Sequence, residues 1–132
     1  MLIHSIIFAL GLQIMFADSM TMGYMCGTDY YYQKVIVLNL DSFCDPNKVL
    51  YHEIGHQLFL QDQEVKDFLK PYPAPRYYYH TFYPTEDMRL NEKVADYFEM
   101  YISYSDFPDK FPKVNKLFNE RTDYILNNLA RQ

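Results

Sequence analysis

The chain reads as an α+β protein, with a small mixed or antiparallel sheet packed on three helices. Three observations predict this. Lys34 to Leu40 is a run rich in β-branched residues, and Gln13 to Ala17 is a shorter strand-like segment before it. Stretches beginning at Pro46, Glu86 and Pro112 each carry helical spacing over several turns. Hydrophobic residues make up 49% of the 132 residues and charged residues 22%, a balance that suits one folded domain over residues 1–132 rather than a disordered chain.

Leu2 to Ala17 is largely apolar and has the look of a signal peptide, with Ala17 before a cleavage point. No Lys or Arg precedes the run, however, and Met15 breaks the small-residue rule. Gly11 and Gln13 also interrupt it too early for a membrane span. The competing reading is a helix over residues 2–9 and a strand from Leu12 to Ala17. Location follows that choice: secreted if residues 1–17 are a signal peptide, cytoplasmic otherwise.

Gly23 and Gly27 mark turns, and Tyr30 to Tyr32 lead into the strand Lys34–Leu40. Asp45 is a good N-cap and Pro46 suits the first helical position, so a helix is expected from Pro46 to about Gln61. Val49, Leu50, Ile54, Leu58 and Phe59 give it apolar contacts. Gly55 weakens a helix interior by roughly 1 kcal/mol relative to alanine. Its missing side chain admits a close neighbour, for which a strand or loop is the natural candidate. A short helical piece follows at Glu64–Leu69. Pro71, Pro73 and Pro75 then force an extended path. The aromatic segment Arg76–Pro84 is placed to wall a cleft. A helix over Glu86–Ser103 comes next, and Pro108 and Pro112 punctuate the chain. The last helix, Pro112–Leu129, has an apolar stripe at Val114, Leu117, Phe118, Ile125 and Leu129.

The chemistry centres on His52-Glu53-Ile54-Gly55-His56. Residues four apart share a helix face, with Cβ atoms about 5–6 Å apart. Two imidazoles at that spacing can each set a nitrogen about 2.0–2.1 Å from one Zn²⁺. Glu53, one step round the helix, reaches the place where water would bind. Zinc lowers that water's pKa to about 7, so a carboxylate can take its proton. A catalytic zinc needs a third protein ligand. Glu92 and Asp96 are again four apart, on the segment Asn91–Phe98. Glu92 completes a His-His-Glu set, and Asp96 can accept the second N–H of His52 and fix its tautomer. A five-residue pattern also arises by chance, and Glu92 and Asp96 alone would be ordinary surface carboxylates. The first motif carries the argument; it promotes Glu92 and Asp96, and their segment at a workable distance makes a chance match less probable.

The pair H-E-I-G-H and N-E-K-V-A-D-Y-F resembles the gluzincin zinc peptidases, most nearly the lethal-factor catalytic domains and the related Pro-Pro endopeptidases. The likeness spans roughly residues 11–128, including the extended Lys34–Leu40 lead-in and the aromatic-rich tail from Phe107 to Ile125. The chain is short for that group. The resemblance implies a zincin-like fold and a zinc ion held by His52, His56 and Glu92. It also implies Glu53 as general base and Asp96 as the partner of His52. The family uses a tyrosine hydroxyl to steady the developing oxyanion. Tyr83 is the assignment here, although the usual spacing falls on Thr85; Tyr77, Tyr78 and Tyr79 stay open as alternatives. The reading that follows is hydrolysis of a peptide or protein substrate by a chain expected to be a monomer, the substrate lying extended in the cleft and pairing with a sheet edge near Lys34–Leu40.

A net charge of −5 and the lack of any Lys or Arg run argue against a general nucleic-acid surface. The 14 tyrosines are expected mostly to pack on the sheet and between helices, with some lining a cleft. Cys26 and Cys44 fit no C-x-x-C spacing; they can pair, bind metal or stay reduced, and no zinc role is assigned to them. His80 is expected to be a loop residue rather than an extra ligand, and His4 structural or exposed. Two rivals to the peptidase reading remain. One is a zinc-bearing regulatory module with little activity, against which the intact Glu53 argues; the other is a structural protein with a coincidental motif.

Overall fold

The computed structural model describes residues 2–129. In chain order it contains α1 (Leu2–Leu10), β1 (Gln13–Ala17), α2 (Ser19–Met22), β2 (Gly27–Tyr30) and β3 (Val35–Asn39), then α3 (Pro46–Phe59), α4 (Gln63–Leu69), α5 (Glu86–Ser103), α6 (Phe107–Lys110) and α7 (Pro112–Leu129). The architecture is α+β, with one three-stranded mixed sheet.

The apolar N-terminal run divides at Gly11. The Gly11 N–H bonds the Phe8 carbonyl at 3.1 Å and the Leu12 N–H bonds the Ile7 carbonyl at 3.0 Å, a closure that ends α1 and turns the chain into β1. Ile3 and Ile6 of α1 are buried in the core. The helix-then-strand reading thus describes this segment; Met1 lies outside the described residues. No helix among the described residues is long and apolar enough to cross a membrane.

The strand order is β1-β3-β2. β1 runs parallel to β3, from Gln13 opposite Val35 to Ala17 opposite Asn39. β2 runs antiparallel to β3, from Gly27 opposite Leu38 to Tyr30 opposite Val35. This corrects two expectations. Gly27 opens a strand instead of marking a turn, and the reversal lies later, with Lys34 at φ 57. In addition, β3 has a hydrogen-bonded strand on each side, so no peptide can pair with Lys34–Leu40. The free edges belong to β1 and β2. A disulfide joins Cys26, just before β2, to Cys44, just before α3.

The helix starts follow their caps. Asp45, Asp62 and Thr85 each accept a backbone N–H from the residue three ahead, at 3.3, 3.1 and 3.1 Å. α3 stops at Phe59, short of Gln61, because the chain turns there through an Asp62 N–H to Phe59 carbonyl bond of 3.0 Å and Asp62 begins α4.

The core joins the sheet to α3, α5 and α7. Ile36 from β3, Ile54 and Phe59 from α3, Val94 and Phe98 from α5, and Val114 and Phe118 from α7 are all nearly or wholly buried. The Phe59 ring stacks on Phe118 at 5.2 Å between centroids and meets the edge of Phe98 at 5.6 Å. The α7 stripe is as expected through Phe118, with Ile125 half-buried; the Leu129 side chain lies outside the described residues. The tyrosines depart from expectation. Tyr24, Tyr30, Tyr32, Tyr77, Tyr79, Tyr104 and Tyr124 are exposed, so half of the 14 do not pack in the interior.

The close neighbour of Gly55 is a helix, not a strand or loop. A Cβ at Gly55 would lie 3.0 Å from the Ala95 Cα and 3.2 Å from the Phe98 Cβ. The bare glycine lets the backbones of α3 and α5 approach side by side, and that approach sets the distance between the two motifs.

Candidate metal and active site

His52 and His56 project from α3 toward α5, which presents Glu92 and Asp96, while Glu53 lies against Gly27 of β2. Glu53, Glu92 and Asp96 are buried. The ligand-capable atoms of His52, His56 and Glu92 all lie within 4.8 Å of one another. The Glu92 carboxylate places one oxygen 3.2 Å from His52 Nε2 and the other 2.5 Å from His56 Nε2. Metal bonds of about 2.0–2.1 Å at tetrahedral angles separate ligand atoms by about 3.3 Å. Small side-chain adjustments therefore suffice for this donor set to hold a divalent cation.

The second nitrogen of His52 is committed. Its Nδ1–H donates to Asp96 Oδ1 at 2.7 Å, which leaves Nε2 facing Glu92. Asp96 is itself held from two sides: the Tyr78 hydroxyl donates to Oδ2 at 2.6 Å and the Arg76 Nε–H donates to the same oxygen at 2.8 Å. Arg76 also reaches Glu92 Oε1 at 3.4 Å and lies over the Tyr78 ring, 5.0 Å from its centroid. One arginine on the loop before α5 thus ties both α5 carboxylates to that loop.

These contacts shift the titrations strongly. Burial opposes charge on His52, but the hydrogen bonds to Asp96 and Glu92 outweigh it and push the pKa up to about 10. Burial alone would raise Glu92; the hydrogen bonds and charge of the two histidines reverse this and hold it well below the usual carboxylate range. Asp96 is lowered for the same kind of reason, burial being overcome by His52, Tyr78 and Arg76. Glu53 differs. Burial pushes its carboxyl up, and the two histidines only partly oppose that. One α3 carboxyl is therefore biased toward taking a proton, while the α5 carboxylates are biased toward staying ionised.

A cleft opens over this cluster, and Tyr83 lies in it together with Glu53 and Glu92. Burial and the Glu92 carboxylate push the Tyr83 phenol up, so its proton is retained. The other tyrosines left open are placed elsewhere. Tyr78 is buried with its hydroxyl on Asp96, and Tyr77 and Tyr79 are exposed. Thr85 caps α5. His80 and His4 are exposed and stand apart from the ligand group.

No protein-family model matches this chain. No curated protein and no solved structure matches it either.

Sequence reasoning did not identify Arg76 or Asp29 as parts of the site, and it named Tyr78 only as an alternative oxyanion tyrosine, not as a partner of Asp96. Asp29 lies on β2 and accepts a hydrogen bond from the Gln57 side chain on α3; burial pushes its carboxyl up. Arg76 was the one cation inside an aromatic loop, which was a signal of sorts. Asp29 carried none, because β2 itself was not read as a strand.

Proposed function

We propose that this protein is a zinc-dependent endopeptidase of zincin-like fold. The observation that supports this most is the convergence of His52, His56 and Glu92, with Glu53 buried beside them and Asp96 on the far nitrogen of His52. Zinc at that point would supply Lewis-acid polarisation of a scissile carbonyl and acidify water to a pKa of about 7.

The chain's own groups divide the remaining tasks. Glu53 takes the proton of the attacking water and delivers it to the leaving amine; its raised carboxyl suits both transfers. Asp96 holds His52 in the tautomer that frees Nε2, and Arg76 and Tyr78 keep Asp96 in place. Tyr83 offers a hydroxyl to the carbonyl oxygen as negative charge develops there. The free edge of β2, beside Glu53, offers backbone groups to an extended peptide in place of the edge first assigned to β3.

The direct test is metal analysis of natively purified protein together with cleavage of a degenerate peptide library with and without a chelator. Near one equivalent of zinc and chelator-sensitive cleavage support the reading. Zinc near zero, with no hydrolysis after zinc is added back, refutes it. Stoichiometric zinc without hydrolysis favours a binding or regulatory module.

A further inference from the structure

The cleft has two lobes that share Gly27, Glu53, Tyr83 and Glu92. The lobe beside His52, about 870 Å³, includes Lys48 and Arg76 in its wall. The lobe beside His56, about 340 Å³, contains no Lys or Arg and carries Asp29 from β2. Asp29 accepts from Gln57 through Oδ1 alone. None of the ion pairs among the described residues involves it. A partly buried carboxylate in a concavity, with an oxygen to spare and no lysine or arginine beside it, is complementary to a side chain that brings donors and positive charge.

Resting on the peptidase reading, we propose that the His56-side lobe takes a lysine or arginine side chain of the substrate and that Asp29 sets this preference. The walls suit such a residue. Tyr31, Leu60 and Met88 border the lobe and give apolar surface for the methylene stem, while Asp29 meets the charged head. Lysine brings three donors and no acceptor, and arginine five donors in a planar fork. A glutamate in the same place would set two carboxylates together with no lysine or arginine between them, which disfavours acidic residues by repulsion. The opposite lobe sets Lys48 and Arg76 among Glu53, Glu92, Asp96 and Glu99, so of the two lobes only the His56-side one is lined without lysine or arginine. The basic side chain of an extended peptide therefore falls on a fixed side of the scissile bond.

The test uses full-length protein and fluorescent peptides that carry a single Lys, Arg, norleucine or Glu scanned along an otherwise neutral sequence. Binding is measured to zinc-loaded Glu53→Gln protein, and kcat/KM to the unaltered protein. The Lys and Arg peptides are expected to bind about tenfold tighter than the norleucine peptide, with the Glu peptide weakest. Adding Asp29→Asn should bring Lys and norleucine within about twofold. Asp29→Glu, which keeps the charge, should retain the preference and shows that the effect is not one of folding. An equal preference for cations in the Asp29→Asn protein, or no preference at all, overturns the assignment. The two readings separate cleanly. Asp29-dependent binding without hydrolysis sinks the peptidase reading and leaves the subsite. Hydrolysis that ignores the charge of the peptide sinks the subsite and leaves the peptidase.

Discussion

Glu53 and Asp96 are both buried carboxylates within one cluster, yet their surroundings assign them different work. Asp96 has three donors, from His52, Tyr78 and Arg76, and is held ionised. Glu53 accepts none of the side-chain hydrogen bonds of this cluster, and burial raises its carboxyl. Glu53→Gln should therefore keep zinc stoichiometry near one while kcat falls about 10²–10⁴-fold, the usual share of a general base. Metal analysis and single-turnover cleavage on the same sample check both halves, and full activity in the variant would remove the base. Asp96→Asn should do the reverse. An amide can present its N–H to His52 and favour the wrong tautomer, so zinc affinity should drop about 10–100-fold in a chelator competition. Unchanged affinity would show that Asp96 does not orient His52. His52, Glu53, His56, Glu92 and Asp96 were all legible in the sequence, because each pair is related by a local helical spacing. Arg76 and Tyr78 were not, since they meet Asp96 only through the path of a proline-rich loop, and no period along the chain encodes that path.

The meeting of α3 and α5 depends on the absence of a single side chain. Gly55→Ala would gain up to about 1 kcal/mol in helix propensity. Against this, its new methyl would lie 3.0 Å from the Ala95 Cα and 3.3 Å from the Ala95 carbonyl oxygen, both backbone atoms that cannot rotate away. The steric effect should win. We expect Gly55→Ala to be near neutral or mildly destabilising, and Gly55→Val to cost about 1–3 kcal/mol in urea unfolding, with a parallel loss of zinc affinity as the helices move apart. A Gly55→Val protein as stable and as tight for zinc as the parent would refute the close-approach argument. The extents of α5 and α7 were readable because a cap or proline starts each and an apolar stripe runs through each. β2 was not. Four residues, Gly27 to Tyr30, hold their strand conformation through pairing with β3, and that pairing is non-local information. The same blind spot moved the free edge of the sheet from β2 to β3 in the sequence reading.

Across the whole molecule, the disulfide joins the two layers of the site. Cys26 leads directly into β2, the free edge that borders the cleft, and Cys44 leads into α3, which carries both histidines. The bridge closes a loop with a sequence separation of 18. On the chain-entropy account, a cross-link of that span stabilises by about 3 kcal/mol. For a domain of this size that corresponds to a thermal midpoint roughly 10 °C higher. Reduction, or Cys26→Ser with Cys44→Ser, should lower the midpoint by about that amount. The two halves of the site should respond unequally. His52, His56, Glu92 and Asp96 are held together by the packing of α3 on α5, which the bridge does not touch, so zinc affinity measured below the midpoint should stay within about twofold. Among the described residues, β2 is tied to the rest chiefly by β3, by its contact with α3 and by the bridge. Peptide affinity for zinc-loaded Glu53→Gln protein should therefore fall on reduction even where zinc affinity does not, and calorimetric titrations with zinc and with peptide on the same reduced sample compare the two. Equal losses in both would show that the bridge supports the whole site, and no loss in either would show that β2 holds its place without it.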